Sequence, residues 1–244
     1  MELPNRAALE ARLGRRLQNL SNRHMRELLA LLGSPPNFDA VGPEFWARVK
    51  KETEEEAAAL LLLLFMASAN THTREAGGDV EMVAPVLTQQ AETFARRRGE
   101  EVGLRQAVGA SIRFDNMRKR VEEAEAGAVQ AQDEPKVPTK KEIAEEAEPV
   151  FSPGQTIQVT RDETTRARHE GGEAGVKITT GTSEEDLWQT RPAMSKSGPC
   201  PLCSPLDNAP RSVWTLVYPQ GPPSPHVGCV CVIKYAFEKK LEHA

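Results

Sequence analysis

All four cysteines of the 244-residue chain lie in one stretch near its end. The stretch opens with Cys200-Pro-Leu-Cys203 and closes with His226-Val-Gly-Cys229-Val-Cys231. A Cys-x-x-Cys turn brings two thiolates to one point, and a His-x-x-Cys turn brings an imidazole nitrogen and a thiolate to another. Together they can supply the four tetrahedral ligands that a structural zinc ion prefers, so this cluster constrains how the surrounding chain folds.

We therefore predict a structural zinc site at this cluster. The predicted ligands are Cys200, Cys203, His226 and Cys229. Cys231 is predicted to be spare. Exchanging it for Cys229 is possible but less natural, because we expect Cys229-Val-Cys231 to alternate like a strand and to point its side chains to opposite faces. Two other interpretations stay open, namely reduced thiols packed in a small core and a disulfide. The first residues carry no secretory signal pattern, so we expect a reducing cytosolic setting, which favours metal over a disulfide.

The residues around the cluster indicate a structural role for the metal. A zinc module that reads nucleic acid carries several Lys and Arg near its ligands, but the stretch Pro199–Tyr235 holds only Arg211 and Lys234. A catalytic zinc needs an open position beside a general base, and Asp207 is the one carboxylate in that stretch. We expect an ion that stabilises a small domain, and a protein that is not an enzyme.

The first part of the chain has the pattern of long helices. Leucines recur every three or four residues between Leu9 and Leu31, which predicts an amphipathic helix. Further helices are predicted from Pro43 and from Val80, with a loop over residues 70–78 and breaks at the later glycines. The longest apolar run, residues 57–67, is too short for a bilayer and follows an acidic block, so we expect a buried helix and no membrane partner.

Residues 130–138 are polar, punctuated by proline and without a period, so we predict a linker there. It separates a mainly helical region, 1–129, from a C-terminal module, 139–244. Thr139 and Glu142 fit a capping box that starts a short helix. A longer helix is predicted to end at Gly171-Gly172. Short strands are predicted at residues 176–180, 187–190, 213–217 and 230–233. The predicted fold class is α+β: a helical N-terminal region followed by a small α+β module with the Cys/His cluster.

Three groups of residues follow one another in a characteristic order. The first is Phe151-Ser152-Pro153 leading to Glu163-Thr164-Thr165-Arg166-Ala167. The second is Trp188-Gln189-Thr190 ahead of Cys200-Pro-Leu-Cys203-Ser-Pro-Leu206-Asp207. The third is Pro222-Pro223-Ser224-Pro225-His226-Val-Gly-Cys229-Val-Cys231. Together they resemble the head-morphogenesis family of tailed bacteriophages, typified by the minor head protein of phage Mu.

The resemblance covers about residues 151–233 and is loose over the preceding helices. Members typically show a helix with Thr-Glu-x-Thr-Arg-Ala, a Trp-x-Thr strand, Cys-x-x-Cys with Leu-Asp-Gly, and a closing Pro-Pro-x-His-Pro-x-Cys-Arg-Cys. This chain has Asp162 in place of the first threonine, Asn208 in place of the glycine and Val230 in place of the last arginine, and no proline follows His226. The Cys/His skeleton is retained.

The resemblance implies a minor structural component of the phage head, part of a multi-subunit assembly. Such a protein associates with the portal or the major capsid protein during procapsid assembly, and affects DNA packaging or ejection. It is found in the host cytoplasm during assembly and then in the virion, where packaged DNA is a weak partner. The resemblance implies no catalytic residues.

The alternative hypothesis is a zinc-stabilised nucleic-acid-binding module. Its support is a row of arginines on the outer face of the first helix: Arg12, Arg15, Arg16, Arg23 and Arg26. The formal net charge of −4 gives it no further support. For an enzyme, the third hypothesis, the sequence offers no Gly-rich phosphate loop, Ser/His/Asp set or metal-hydrolase pattern.

Overall fold

The structure is a computed structural model that describes residues 6–130, 139–190, 200–219, 221–222, 229 and 231–236. In these residues six α-helices and one two-stranded sheet form. They are α1 (Arg6–Leu32), α2 (Pro43–Glu75), α3 (Val80–Gln130), α4 (Lys140–Ala147), α5 (Pro153–Thr179), β1 (Leu187–Gln189), α6 (Arg211–Val217) and β2 (Val232–Lys234). The predicted class, a helical N-terminal region followed by a small α+β module, is confirmed. Among the described helices, none is long and apolar enough to cross a membrane.

The chain divides into two compact units, each built from separate stretches of sequence. The first unit comprises Met1–Ala11, Ala59–Arg96 and Gln158–Ala244, and the second comprises Arg12–Ala58 and Arg97–Ile157. Both units are discontinuous because the long helices α2 and α3 supply residues to each of them. Residues 131–138 of the predicted linker 130–138 lie outside the described residues, so the linker stays a prediction.

The second unit is a helical bundle around one apolar core. Its buried residues come from α1, α2, α3, α4 and the turns beside them: Leu28, Leu32, Val41, Phe45, Val49, Ala107, Ala110, Phe114, Met117, Ile143, Ala147, Val150 and Phe151. The capping box at Thr139 and Glu142 is confirmed and starts α4. The leucine stripe of α1 is internal, since Leu13 and Leu17 are 1% and 5% exposed. Burying each leucine contributes about 2 kcal/mol, so charges placed there should impair folding.

The arginine face of α1 contacts the acidic block of α2. Arg16 Nη1 donates to Glu56 Oε1 at 2.7 Å, and Arg23 Nη2 donates to Glu52 Oε2 at 2.5 Å. The acidic block at residues 52–56 therefore contacts α1 and does not face only solvent. Such part-exposed ion pairs contribute little stability, but they neutralise two of the five arginines.

His24 gives the second unit a pH-dependent stability. Its ring is 1% exposed, and Nε2 lies 2.8 Å from Glu52 Oε2. Burial lowers the pKa of His24, an effect that outweighs the hydrogen bond and charge of Glu52. In the unfolded chain the imidazole titrates near its ordinary value of about 6.5. As the pH falls through that value, the unfolded state takes up a proton that the folded state does not, and stability falls.

We expect the stability advantage of the native chain over a His24→Gln variant to shrink between pH 7 and pH 5. Glutamine keeps a donor for Glu52 but cannot titrate, so only the native chain loses this contribution. Each unit of pKa depression is equivalent to about 1.4 kcal/mol. Urea denaturation of both proteins at the two pH values measures the difference. A gap that stays constant or widens towards pH 5 would contradict the assignment.

Helix α5 of the first unit packs closely against α2 through glycines. A Cβ atom on Gly171 or Gly175 would meet the backbone carbonyl oxygens of Phe65 and Ala69, respectively. The predicted helix end at Gly171-Gly172 is wrong, and so is the strand at residues 176–180, because α5 continues to Thr179. These glycines let two helices approach, and the neighbouring helix offsets their low intrinsic helix propensity.

Two further boundaries differ from the sequence-based expectation. The predicted loop over residues 70–78 is wrong for its first part, because α2 continues to Glu75. The glycine breaks in α3 are also wrong: α3 is continuous, and Gly99 and Gly103 lie against the backbone carbonyls of Glu54 and Lys50. In both cases tertiary packing overrides the local signal.

The predicted strand at residues 213–217 is the helix α6. Pro210 stands at its N-cap in extended conformation, and Trp214 N donates to Pro210 O at 3.1 Å. Only Trp214 of this helix is buried, so the β-branched residues that suggested a strand lie on the helix surface. A strand-like composition does not decide the conformation when one side chain makes the packing contact.

The strands predicted near residues 187–190 and 230–233 are confirmed, although β2 begins at Val232. They pair in antiparallel orientation, with Trp188 opposite Ile233. On its other edge, β1 bonds the segment before α6: Trp188 N donates to Ala209 O at 2.9 Å, and Asn208 N donates to Trp188 O at 2.7 Å. All four cysteines follow β1 in sequence: the cysteine turn precedes the segment on one edge of β1, and Cys229 and Cys231 precede β2 on the other edge.

Candidate metal centre

Three buried thiols meet in the first unit. The Sγ atoms of Cys203, Cys229 and Cys231 all lie within 4.8 Å of one another, and those of Cys203 and Cys229 are 3.8 Å apart. The three residues are 0%, 2% and 4% exposed. Within the part of the chain that the structure describes, this is the one group of three or more potential ligands that lie so close together. The arrangement can hold a metal ion.

Two local structures position these thiols. Cys203 closes a turn in which Cys203 N and Ser204 N both donate to Cys200 O, at 3.1 and 2.8 Å. A single 3-10 turn, Ser204–Leu206, follows and anchors Leu206 in the core. Cys229 and Cys231 come directly before β2, which β1 holds in register. The two halves of the site are therefore joined through the small sheet.

The predicted ligand set is only partly placed by the structure. Cys203 and Cys229 do come together. Cys200 is half-buried and its side chain hydrogen-bonds with that of Cys203, but its Sγ is not part of the group of three. His226 lies outside the described residues, so its role as a ligand stays a prediction. The expectation that the Cys231 side chain points away from that of Cys229 is wrong: residues two apart in an extended segment lie on the same face, and both thiols join one group. Whether Cys231 is a ligand or spare stays a prediction.

Crowding and burial favour the protonated form of the Cys203 and Cys229 thiols when no cation is bound. Burial, together with the neighbouring thiols of Cys231 and Cys200, raises the pKa of Cys203 to about 12. The hydrogen bond with Cys231, followed by burial, raises the pKa of Cys229. A bound divalent cation reverses this preference, because it stabilises the thiolates directly. No disulfide joins any two of the four cysteines.

The surrounding core is small and rich in aromatic rings. Trp188 and Trp214 contact each other edge to face at 5.8 Å between ring centroids. The other buried members are Val176, Leu206, Ile233 and Tyr235, together with the three cysteines. A core of this size contributes only a few kcal/mol by itself, so a metal ion would add a large share of its stability.

Asp186 is a structural centre of this unit that the sequence interpretation missed. Its carboxylate is buried and accepts from Ser183 N at 3.1 Å, Ala236 N at 2.9 Å and Arg211 Nε at 3.3 Å. Its backbone carbonyl accepts from Trp214 Nε1 at 3.3 Å. One residue thus joins the start of β1, helix α6 and the end of β2.

Asp207, the one carboxylate near the cysteines in sequence, has a structural task. Its Oδ1 accepts from both Thr190 N and Thr190 Oγ1, each at 2.8 Å. This pair ties the segment after β1 to the segment after the cysteine turn. The carboxylate is thereby engaged in holding the loop and is not positioned as a general base beside the thiols.

A polar cavity of about 50 Å³ lies beside Cys231 in the same unit. Side chains from α2 and α5 contribute most of its wall, among them His72, Glu75, Arg168 and His169. Burial raises the pKa of Glu75, partly offset by the charge of Arg168. The volume suits a few water molecules. The cavity could not be predicted from the sequence, because the residues that line it come from helices about a hundred positions apart.

Comparisons with known proteins add no relative to these observations: neither a protein-family model, nor a curated protein, nor a solved structure matches the chain.

Proposed function

We propose that the chain is a minor structural component of a tailed-phage head, and that a structural zinc ion stabilises its C-terminal part. In this role it associates with the portal or the major capsid protein during procapsid assembly. The observation that carries the proposal is the mutual packing of the residues on which the family resemblance rests. From the second and third groups, the residues Trp188, Cys203, Leu206, Cys229 and Cys231 are far apart in sequence but share one small core, whereas Phe151 of the first group lies in the core of the second unit.

The contacts between these groups are specific. Trp188 pairs across the sheet with Ile233, which follows the closing cysteines. Thr190, two residues further on, is held by Asp207 from the Cys-x-x-Cys group. On α5, Glu163 and Thr164 are buried. This burial and these hydrogen bonds support a structural role for the motif residues, as an assembly module requires. No catalytic residue is needed to explain them.

Zinc is the proposed metal because thiolate ligands with closed tetrahedral geometry are typical of its structural sites. Three of the thiols are already gathered within bonding reach of one ion. Elemental analysis of protein purified without chelator should give about one zinc ion per chain. Iron or copper in that measurement would change the identity of the metal but not the role of the thiols.

The nucleic-acid alternative has less support. Of the arginines on the outer face of α1, Arg16 and Arg23 are paired with glutamates of α2. Arg12, Arg15 and Arg26 are exposed, but three cations release few counterions from duplex DNA. A chain with a net charge of −4 has no general attraction to the phosphate backbone to compensate for this.

We expect the tagged full-length chain to sediment with procapsids or portal complexes, and not with free DNA at physiological salt. Charge reversal at Arg12 and Arg15 should leave this co-sedimentation unchanged, because these residues serve no phosphate contact in the proposed role. A fluorescence titration with duplex DNA provides the parallel measurement. Tight, sequence-independent DNA binding that is lost in the charge-reversed variant, together with absence from assembled particles, would favour the nucleic-acid alternative instead.

A further inference from the structure

We infer that Cys200 supplies the fourth ligand, so that the metal is held by four thiolates and His226 is not a ligand. The inference rests on the proposed metal-binding function and specifies its chemistry. The four-thiolate set is Cys200, Cys203, Cys229 and Cys231.

Three thiols leave one tetrahedral position to be filled, because structural zinc sites are closed by four protein ligands. In the described part of the chain, no histidine or carboxylate joins the group of three thiols. The Cys200 Sγ lies outside that group, because it is not within 4.8 Å of all three thiols. Its side chain nevertheless hydrogen-bonds with that of Cys203. Cys200 also packs against the same aromatic core.

The backbone hydrogen bonds of the cysteine turn hold Cys200 close to Cys203. Two backbone N–H groups, from Cys203 and Ser204, converge on the carbonyl of Cys200 and fold the turn back on itself. Leu202, at the tip, is 50% exposed, so the apolar side chain of the turn leaves the site to the thiols. Bringing the Cys200 sulfur onto the ion then requires a change of rotamer in that one side chain.

A set with His226 would leave one packed thiol unused. If His226 joined Cys203, Cys229 and Cys231, the Cys200 thiol would remain in contact with a coordinated sulfur. If His226 replaced Cys231, a buried thiol within 4.8 Å of two ligands would stay uncoordinated. The four-thiolate set uses every thiol that the fold gathers, and it leaves none to compete for the ion.

X-ray absorption at the zinc edge of the full-length chain tests the inference directly. We expect four sulfur neighbours at about 2.3 Å and no nitrogen at about 2.0–2.1 Å. Three sulfurs and one nitrogen would overturn the inference while leaving the proposed metal site intact. Protein without metal would overturn both the inference and the metal-binding part of the proposed function.

Two variants give an independent readout through cobalt substitution. In His226→Ala, the thiolate-to-cobalt absorption and the stoichiometry of about one ion per chain should be unchanged. In Cys200→Ser, the charge-transfer absorption should lose about a quarter of its intensity, as one thiolate of four is removed, or binding should be lost. Loss of metal from His226→Ala with retention in Cys200→Ser would refute the assignment. Should Cys200→Ser fail to fold, the absorption experiment on the native chain still decides between the two sets.

Discussion

Replacing Cys203 with serine is expected to abolish metal binding and to lower the melting temperature by about 10 °C or more. Cys203 is the most buried of the clustered thiols and also closes the turn that carries Cys200. Structural zinc contributes about 10–16 kcal/mol in zinc-finger peptides, because ligand binding and folding are one equilibrium. In a chain of this size about 1 kcal/mol corresponds to about 2–4 °C, so even a partial loss of that contribution is large.

The matched control is Ser204→Ala, one residue further along the same turn. Ser204 is exposed and acts in the turn through its backbone N–H, which alanine retains. This variant should keep both the metal and the melting temperature. Cys231→Ser should behave like Cys203→Ser, since its thiol belongs to the same group. Elemental analysis and calorimetry measure both effects. A native chain free of metal when prepared without chelator, with unchanged melting in Cys203→Ser, would refute the metal site.

Replacing Asp186 with alanine should destabilise the first unit by about 3–5 kcal/mol without removing any metal ligand. The substitution takes the acceptor away from two backbone N–H groups and from the guanidinium of Arg211. Arg211 keeps Glu173 as a partner, at 3.0 Å, but its contact on the buried side is lost. Buried polar groups left without partners account for most of the expected cost.

Glu185→Ala is the control for this prediction, because Glu185 is adjacent, exposed and acidic. A surface substitution of this kind should change stability by no more than about 0.5 kcal/mol. Urea and thermal denaturation give the comparison, and elemental analysis at room temperature separates a weakened core from a lost ion. Equal stability of the two variants would show that Asp186 is not the centre that its hydrogen bonds indicate.

The helices could be predicted from sequence wherever local signals and packing agree. The leucine period of α1 and the capping box of α4 are local, and the structure confirms both. The errors arose where a distant segment decides. Gly171 ends no helix because α2 lies against it, and Val213 joins no strand because Trp214 alone anchors α6. Neither neighbour can be identified from the sequence around these residues.

The candidate site was predictable in kind but not in detail. Clustering of the cysteines indicated a shared site, and three of the thiols do converge. The direction of the Cys231 thiol was predicted wrongly, because residues two apart in an extended segment share a face and Cys229 and Cys231 therefore reach the same group. Asp186 could not have been identified, because its partners lie 3, 25 and 50 residues away and converge only in the folded chain.

The discontinuity of the first unit sets an order of events during synthesis. Its stretch Ala59–Arg96 leaves the ribosome long before Cys229 and Cys231 are made. The backbone of α2, against which Gly171 and Gly175 pack, must therefore wait for the rest of its unit. The thiol group cannot form until Cys229 and Cys231 have been made and β2 pairs with β1. In the proposed metal-binding role, the ion would therefore bind only after the stretches of this unit that precede β2 have been made.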